Sequence, residues 1–186
     1  MQIQAQDYLR LVEEANTLAF FDIEATGLNG DYNSILVISV KPFQSAPTSF
    51  VVEQPGNDQR VVREAKDFIE QFDCICGYYS KGFDIKMINT RLLKWGRDPV
   101  KPIHHIDMYY TLKYHLNTSR RSQAHMARWL KAGEQKFDVS AEAWSDVIAE
   151  PKKHMPTMIK RCESDVTSLQ NIYEKSKHVI NDIKRG

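Results

Sequence analysis

Leu18-Ala19-Phe20-Phe21-Asp22-Ile23-Glu24, running into Ala25-Thr26-Gly27, is the stretch from which the rest of the chain can be read. Its first four residues are apolar at both parities, which suits a strand covered on both faces, and Thr26-Gly27 marks the turn that ends it. A buried central strand therefore finishes in two acids. Because side chains alternate along a strand, Asp22 and Glu24 share one face while Ile23 points to the other. Carboxylates at the end of a central strand are costly unless they are paired or hold a cation. Two readings stand at this point: the polar side of a half-buried strand, or two ligands for a shared cation.

Working outward, Tyr8, Leu11, Val12 and Ala15 have the spacing of a short amphipathic helix before this strand, broken at Asn16. Ser34 to Val40 and Ser49 to Val52 read as two further strands, with turn residues Asn29-Gly30-Asp31 and Pro42 to Pro47 around them. The pattern then changes. Arg60 to Phe72 is helical in period, Cys74 to Gly77 is a short apolar strand, Asp84 to Trp95 is a helix closed by Gly96, and Pro102 to Ile106 is one more strand. From Asp107 onward the pattern is mostly helical, with breaks expected at Pro99, Pro102, Pro151 and Pro156 and a last long helix from about Thr157 to about Ile180. Consecutive strands, then strands alternating with helices, then helices predict one α/β domain over residues 1–186. Its mixed central sheet should have about five strands flanked by helices, with a helical C-terminal half.

The composition agrees with an ordinary folded domain: 186 residues, 42% hydrophobic and 26% charged, which excludes disorder, collagen and coiled coil. With 25 Lys and Arg against 24 Asp and Glu the net charge is +1, so any electrostatic footprint is local. No apolar run approaches the roughly 20 residues of a membrane span. The polar stretch Met1 to Arg10 lacks the order of a signal peptide, which predicts an intracellular, cytoplasmic protein. In that compartment Cys74, Cys76 and Cys162 are expected as reduced, packed thiols. His104-His105-x-Asp107 does not make a metal site, because adjacent histidines on a strand face opposite sides.

Two more acids enter by position. Asp84 opens a helix, where an acid complements the helix dipole whatever its function. Asp165 is three residues from Cys162 and four from Leu169, so it borders the apolar stripe of the last helix rather than the middle of its solvated face. Together the four acids stand in a familiar order. Phe21-Asp22-Ile23-Glu24-Ala25-Thr26-Gly27-Leu28 closely resembles the first motif of the DEDD superfamily of 3′→5′ exonucleases. Gly77-Tyr78-Tyr79-Ser80-Lys81-Gly82-Phe83-Asp84 resembles its second motif, and Arg161-Cys162-Glu163-Ser164-Asp165-Val166 its third. The resemblance runs from about residue 17 to 178 and is nearest to compact phage and bacterial members, related to the exonuclease domains of family B DNA polymerases.

That resemblance implies a ribonuclease H-like fold and two divalent cations, Mg²⁺ or Mn²⁺, held by Asp22, Glu24, Asp84 and Asp165. Hard carboxylate oxygens suit such ions. The implied reaction is hydrolysis at the 3′ end of single-stranded DNA or RNA, releasing nucleoside 5′-monophosphates. It further implies that backbone near Thr26 and Gly27 meets the terminal nucleotide with Leu28 wedged against its base. Tyr78, Tyr79 and Phe83 either stack on bases or serve as loop and core. The chain departs from the superfamily at the general base, a Tyr four residues or a His five residues before the last Asp, where Arg161 and Lys160 stand. Arg161 is expected on a substrate phosphate or a neighbouring carboxylate, and the missing base leaves three explanations: a metal-bound water acidic enough on its own, another side chain such as Glu163 or a Tyr reaching in, or lost activity. A catalytically weak relative that binds nucleic acid is the alternative. A phosphatase of the haloacid dehalogenase type is disfavoured, since it needs Asp-x-Asp where this chain has Asp22-x-Glu24.

Overall fold

The computed structural model describes residues 4–133 and 142–185. Its strands are β1 (Leu18–Ala25), β2 (Ile35–Pro42), β3 (Thr48–Val51), β4 (Cys74–Gly77), β5 (His104–Asp107) and β6 (Lys184–Arg185). Its helices are α1 (Ala5–Glu14), α2 (Gln59–Ile69), α3 (Asp84–Lys94), α4 (Met108–His115), α5 (Gln123–Trp129), α6 (Glu142–Ala149) and α7 (Pro151–Ser176). The strands form one mixed sheet in the order β3-β2-β1-β4-β5-β6. β1 is central, antiparallel to β2 and parallel to β4, and β4 is parallel to β5. The α/β class and the expected five strands hold. The sixth, β6, is a two-residue edge strand on β5, too short to leave a periodic signal.

Alternation along β1 sorts the interior. Ala19, Phe21 and Ile23 join the apolar cluster that includes α2 and α3. Leu18 and Phe20 join the cluster built with α1, α4, α5 and the C-terminal half of α7, where Val166, Leu169, Ile172 and Tyr173 are buried. Asp22 and Glu24 have the parity of Leu18 and Phe20, so they continue the face that α7 covers. Lys41, on the same face of β2, confirms that placement by donating from Nζ to Gln170 Oε1 on α7 at 2.6 Å.

The last helix departs from expectation. It begins at Pro151 rather than near Thr157, runs through Pro156, and ends at Ser176 before a 3₁₀ turn over Lys177–Val179. Proline at the first helical position forfeits nothing, because that N–H has no helical partner. Pro156 forfeits one hydrogen bond near the exposed start of the helix, while its neighbours Met155 and Met158 are buried and hold the turn in place. His154 therefore does lie on the helix that carries Asp165. Eleven residues still separate them by roughly 16 Å along the axis, out of reach of the site.

Among the described residues no helix is long and apolar enough to cross a membrane. The three thiols are buried and unbridged, and burial pushes Cys74 up to about 12 and Cys76 and Cys162 well above the ordinary thiol value, so all three stay protonated.

Candidate active site

The site begins where β1 ends. The register with β2 shifts between Glu24 and Ala25, an irregularity that lets the strand end turn away from the regular ladder. Asp22 is half-buried, and Glu24 is only 6% exposed. α7 brings Asp165, also buried, across from them, and one carboxylate oxygen from each of Asp22, Glu24 and Asp165 lies within 4.8 Å of the others. Alternation on a strand supplies the first two acids and a helical stripe the third.

Asp84 stands beside this trio as the first residue of α3, buried with no capping side chain before it. Burial raises its carboxyl to about 7, and the charges of Asp107 and Glu24 add to the rise, against hydrogen bonds from the backbone amides of Asp84 and Ile23. The four acids singled out in the sequence thus come to one end of the sheet: three touch a common volume, and the fourth is within electrostatic reach of Glu24.

Arg161 lies inside the cluster. Its Nε donates to Glu24 Oε1 at 2.6 Å, and its Nη2 is 3.9 Å from Asp165 Oδ2, one helical turn away. Burial works against the guanidinium charge, but Glu24, Asp165 and Asp22 outweigh it and hold the group more firmly protonated than usual. The indole of Trp144 on α6 covers it, with the guanidinium carbon 5.1 Å from the ring centre. Of the two roles expected for Arg161, contact with a neighbouring carboxylate is the one observed. Under β1, the Cys162 thiol donates to the Asp22 carbonyl at 3.3 Å. Glu163 accepts from Ser49 Oγ on β3 at 2.8 Å. Lys160 is exposed.

The residues proposed to meet substrate separate into groups. The Thr26 amide donates to Ser34 O at 2.9 Å, and Thr26 Oγ1 accepts from the Ser34 amide, closing the turn between β1 and β2. A Cβ at Gly27 would come within 2.6 Å of the Asn33 side-chain amide, which would have to move aside. Leu28 projects outward, 80% exposed. Phe83 packs against the core, whereas Tyr78 donates to the Arg121 carbonyl at 2.6 Å and Tyr79 is 45% exposed.

Asp107, weighed in the sequence only as part of His104-His105-x-Asp107, is structurally important. It ends β5 as Asp22 and Glu24 end β1, and it caps α4, so an acid before a helical pattern was the available signal. Its Oδ1 accepts from the amides of Tyr79 and Tyr109 at 3.0 and 3.1 Å, and its Oδ2 from the amide of Lys81 at 2.9 Å. One carboxylate therefore fixes both the turn before Asp84 and the start of α4. Burial raises its pKa even against those amides. The two histidines face opposite ways as expected: His104 bonds Tyr8, and His105 bonds Ser80 Oγ at 2.8 Å, where burial pushes its pKa down to about 3 and keeps it neutral.

The donor chemistry suits a hard divalent cation: three carboxylates converge, and a guanidinium already stands in as positive charge. Comparison with known proteins agrees with this architecture. A family model described as the RNase_H superfamily matches residues 19–177. No curated protein matches the chain. Among solved structures, a family B DNA polymerase from the hyperthermophilic archaeon Pyrobaculum calidifontis superposes with a TM-score of 0.71 at 22% identity, over 85% of this chain. The chain spans 24% of that polymerase's length, and at this identity the likeness concerns the fold.

Proposed function

The chain belongs to the RNase_H superfamily, and from that premise we propose that it is a DEDD-type 3′→5′ exonuclease acting through one domain over residues 1–186. In this reading it hydrolyses the last phosphodiester at single-stranded 3′ ends of DNA or RNA and releases nucleoside 5′-monophosphates. The observation that carries the reading is the convergence of Asp22, Glu24 and Asp165 within 4.8 Å, with buried Asp84 beside them, at the end of the central strand. A packed interior does not gather carboxylates in excess of its cations without a use for them.

Asp22, Glu24, Asp84 and Asp165 would hold two ions, Mg²⁺ or Mn²⁺, which supply Lewis acidity and charge neutralisation to phosphodiester hydrolysis when bound. The chain's own residues do the rest. Asp107 fixes the turn that carries Asp84, so the fourth carboxylate is presented by a preorganised loop. Cys162 and α7 hold Asp22 and Asp165 in register. In this reading Leu28, 80% exposed, and Tyr79, 45% exposed, would contact the terminal base. Arg161 neutralises part of the cluster, and it must yield Glu24 for that carboxylate to serve a cation.

One observation favours a second reading, a catalytically weak relative that binds nucleic acid: Arg161 and Lys160 stand where the superfamily keeps its base, and Arg161 is held by Glu24 and Trp144. Digestion of matched 5′-labelled single-stranded DNA and RNA, with Mg²⁺ or Mn²⁺ and resolved on a sequencing gel, separates the two. The exonuclease gives a ladder shortening from the 3′ end that Asp22→Ala abolishes. A folded protein that binds either strand but leaves it intact is the weak relative.

A further inference from the structure

The turn that presents Asp84 is held from two sides, and the Asp107 carboxylate is only one of them. Between the two amides that Asp107 receives from this turn, those of Tyr79 and Lys81, Ser80 is fully buried. Its hydroxyl lies 2.8 Å from Nε2 of His105 on β5, which is itself only 3% exposed. Its carbonyl accepts the Ile85 amide at 3.0 Å. One serine thus ties β5 to the first turn of α3, whose first residue is Asp84. The sequence reserves room for it: a Cβ on Gly77, where β4 ends, would overlap the Ser80 hydroxyl and come within 3.1 Å of the Phe21 ring. The backbone just before Ser80 sits at φ 60°, a left-handed conformation that a residue with a Cβ keeps only where its surroundings impose it.

The same imidazole packs on the strand that carries the other acids. Its centre is 5.7 Å from that of the Phe21 ring, with the planes 53° apart. Phe21 immediately precedes Asp22, and alternation sends its ring to the sheet face opposite the Asp22 carboxylate. His105 therefore touches both halves of the acid cluster from the far side of the sheet: the turn before Asp84 through a hydrogen bond, and the end of β1 through a ring contact. Burial, helped by the charge of Lys81, keeps the imidazole neutral. A neutral strut sets a distance without adding charge to the acids, and a hydrogen bond between two buried groups holds its geometry strictly, since breaking it leaves both unpaired. A strand is also a more exact mount for such a group than a loop.

We infer that His105 and Ser80 are positioning residues of the acid cluster: the pair sets the separation of Asp84 from Asp22 and Glu24, and through it the affinity of the cluster for divalent cations. The inference rests on the exonuclease reading for the use of those cations. Its test is calorimetric titration of Mn²⁺ into wild type, Ser80→Ala, His105→Phe, His105→Gln and Asp84→Asn, with thermal unfolding in EDTA alongside. Ser80→Ala and His105→Phe keep much of the packing but lose the hydrogen bond, and each should weaken Mn²⁺ by about 10-fold, as loss of a group that orients a ligand does. His105→Gln, whose side-chain amide offers both a donor and an acceptor near the place of Nε2, should recover most of that affinity. Because the pair acts through Asp84, neither loss should exceed that of Asp84→Asn. A pair that only supports packing would lower the metal-free melting temperature and leave Mn²⁺ affinity within about twofold of wild type. That result overturns the inference, as does a loss larger than that of Asp84→Asn, or a His105→Gln no better than His105→Phe. Ser80→Ala removes a single oxygen and keeps the test readable where His105→Phe does not fold. The two claims fail separately. Pair-dependent Mn²⁺ binding by a protein that leaves single-stranded DNA and RNA intact sinks the exonuclease reading alone. Digestion, with Mn²⁺ affinity indifferent to the pair, sinks the positioning role alone, and absence of saturable binding by wild type sinks both.

Discussion

Arg91 and Arg161 both lie against buried carboxylates, at 2.8 Å from Asp58 and 2.6 Å from Glu24, but their surroundings differ in charge count. Arg91 grips Asp58 with two nitrogens and gives a third bond to the Gly30 carbonyl. The remaining capacity of Asp58 is filled by the Ile35 amide and the Trp95 indole N–H. One cation meets one anion and the polar groups are satisfied. Arg161 meets three carboxylates that approach one another within 4.8 Å, with a fourth acid nearby. Burial and ion pairing are common to both places. What marks one as framework and the other as a candidate site is the surplus of acid.

The largest effect expected from this contrast is on stability. Arg91→Ala strands the fully buried Asp58 and should cost about 3–5 kcal/mol, with no recovery on adding Mg²⁺ or Mn²⁺. Arg161→Ala should cost less, because an added divalent cation can replace the lost charge and restore the melting temperature. Thermal unfolding of both variants, with and without metal, checks this. Equal losses, both indifferent to metal, would erase the distinction.

A smaller effect concerns Asp84. Its carboxyl sits at about 7 in the fold and near 3.9 when unfolded, so between those values the folded chain holds a proton that the unfolded chain lacks. Without metal, that group makes stability fall as pH rises through the window. Asp84→Asn removes the effect, and in EDTA the variant should gain on wild type as pH is raised from about 5 to 7, by at most about 1.4 kcal/mol per unit. Urea unfolding at the two pH values measures it, and a difference independent of pH would show that Asp84 belongs with the saturated framework.

Much of this was legible in the sequence because it is periodic. The face shared by Asp22 and Glu24 follows from alternation, β4 was bounded from Cys74 to Gly77 by composition alone, and the stripe beside Asp165 located the third acid. What escaped is what periodicity does not encode. The start of α7 was misplaced because proline's cost depends on where in a helix it falls and on what its neighbours bury. The Asp58–Arg91 pair spans 33 positions and the Glu24–Arg161 pair 137, and partners so distant are set by the tertiary fold. The role of Asp107 escaped because it is to bind backbone amides, for which the sequence offers only the generic sign of an acid before a helix.

The surplus of acid is a cation site if it binds one, and calorimetric titration of Mn²⁺ into wild type, Asp22→Ala and Arg161→Gln asks that directly. The account expects saturable binding to wild type, its loss in Asp22→Ala, and affinity raised about tenfold, or 1.4 kcal/mol, in Arg161→Gln, where the competing guanidinium is gone. Absence of saturable binding to the folded wild type, or binding untouched by Asp22→Ala, would contradict it.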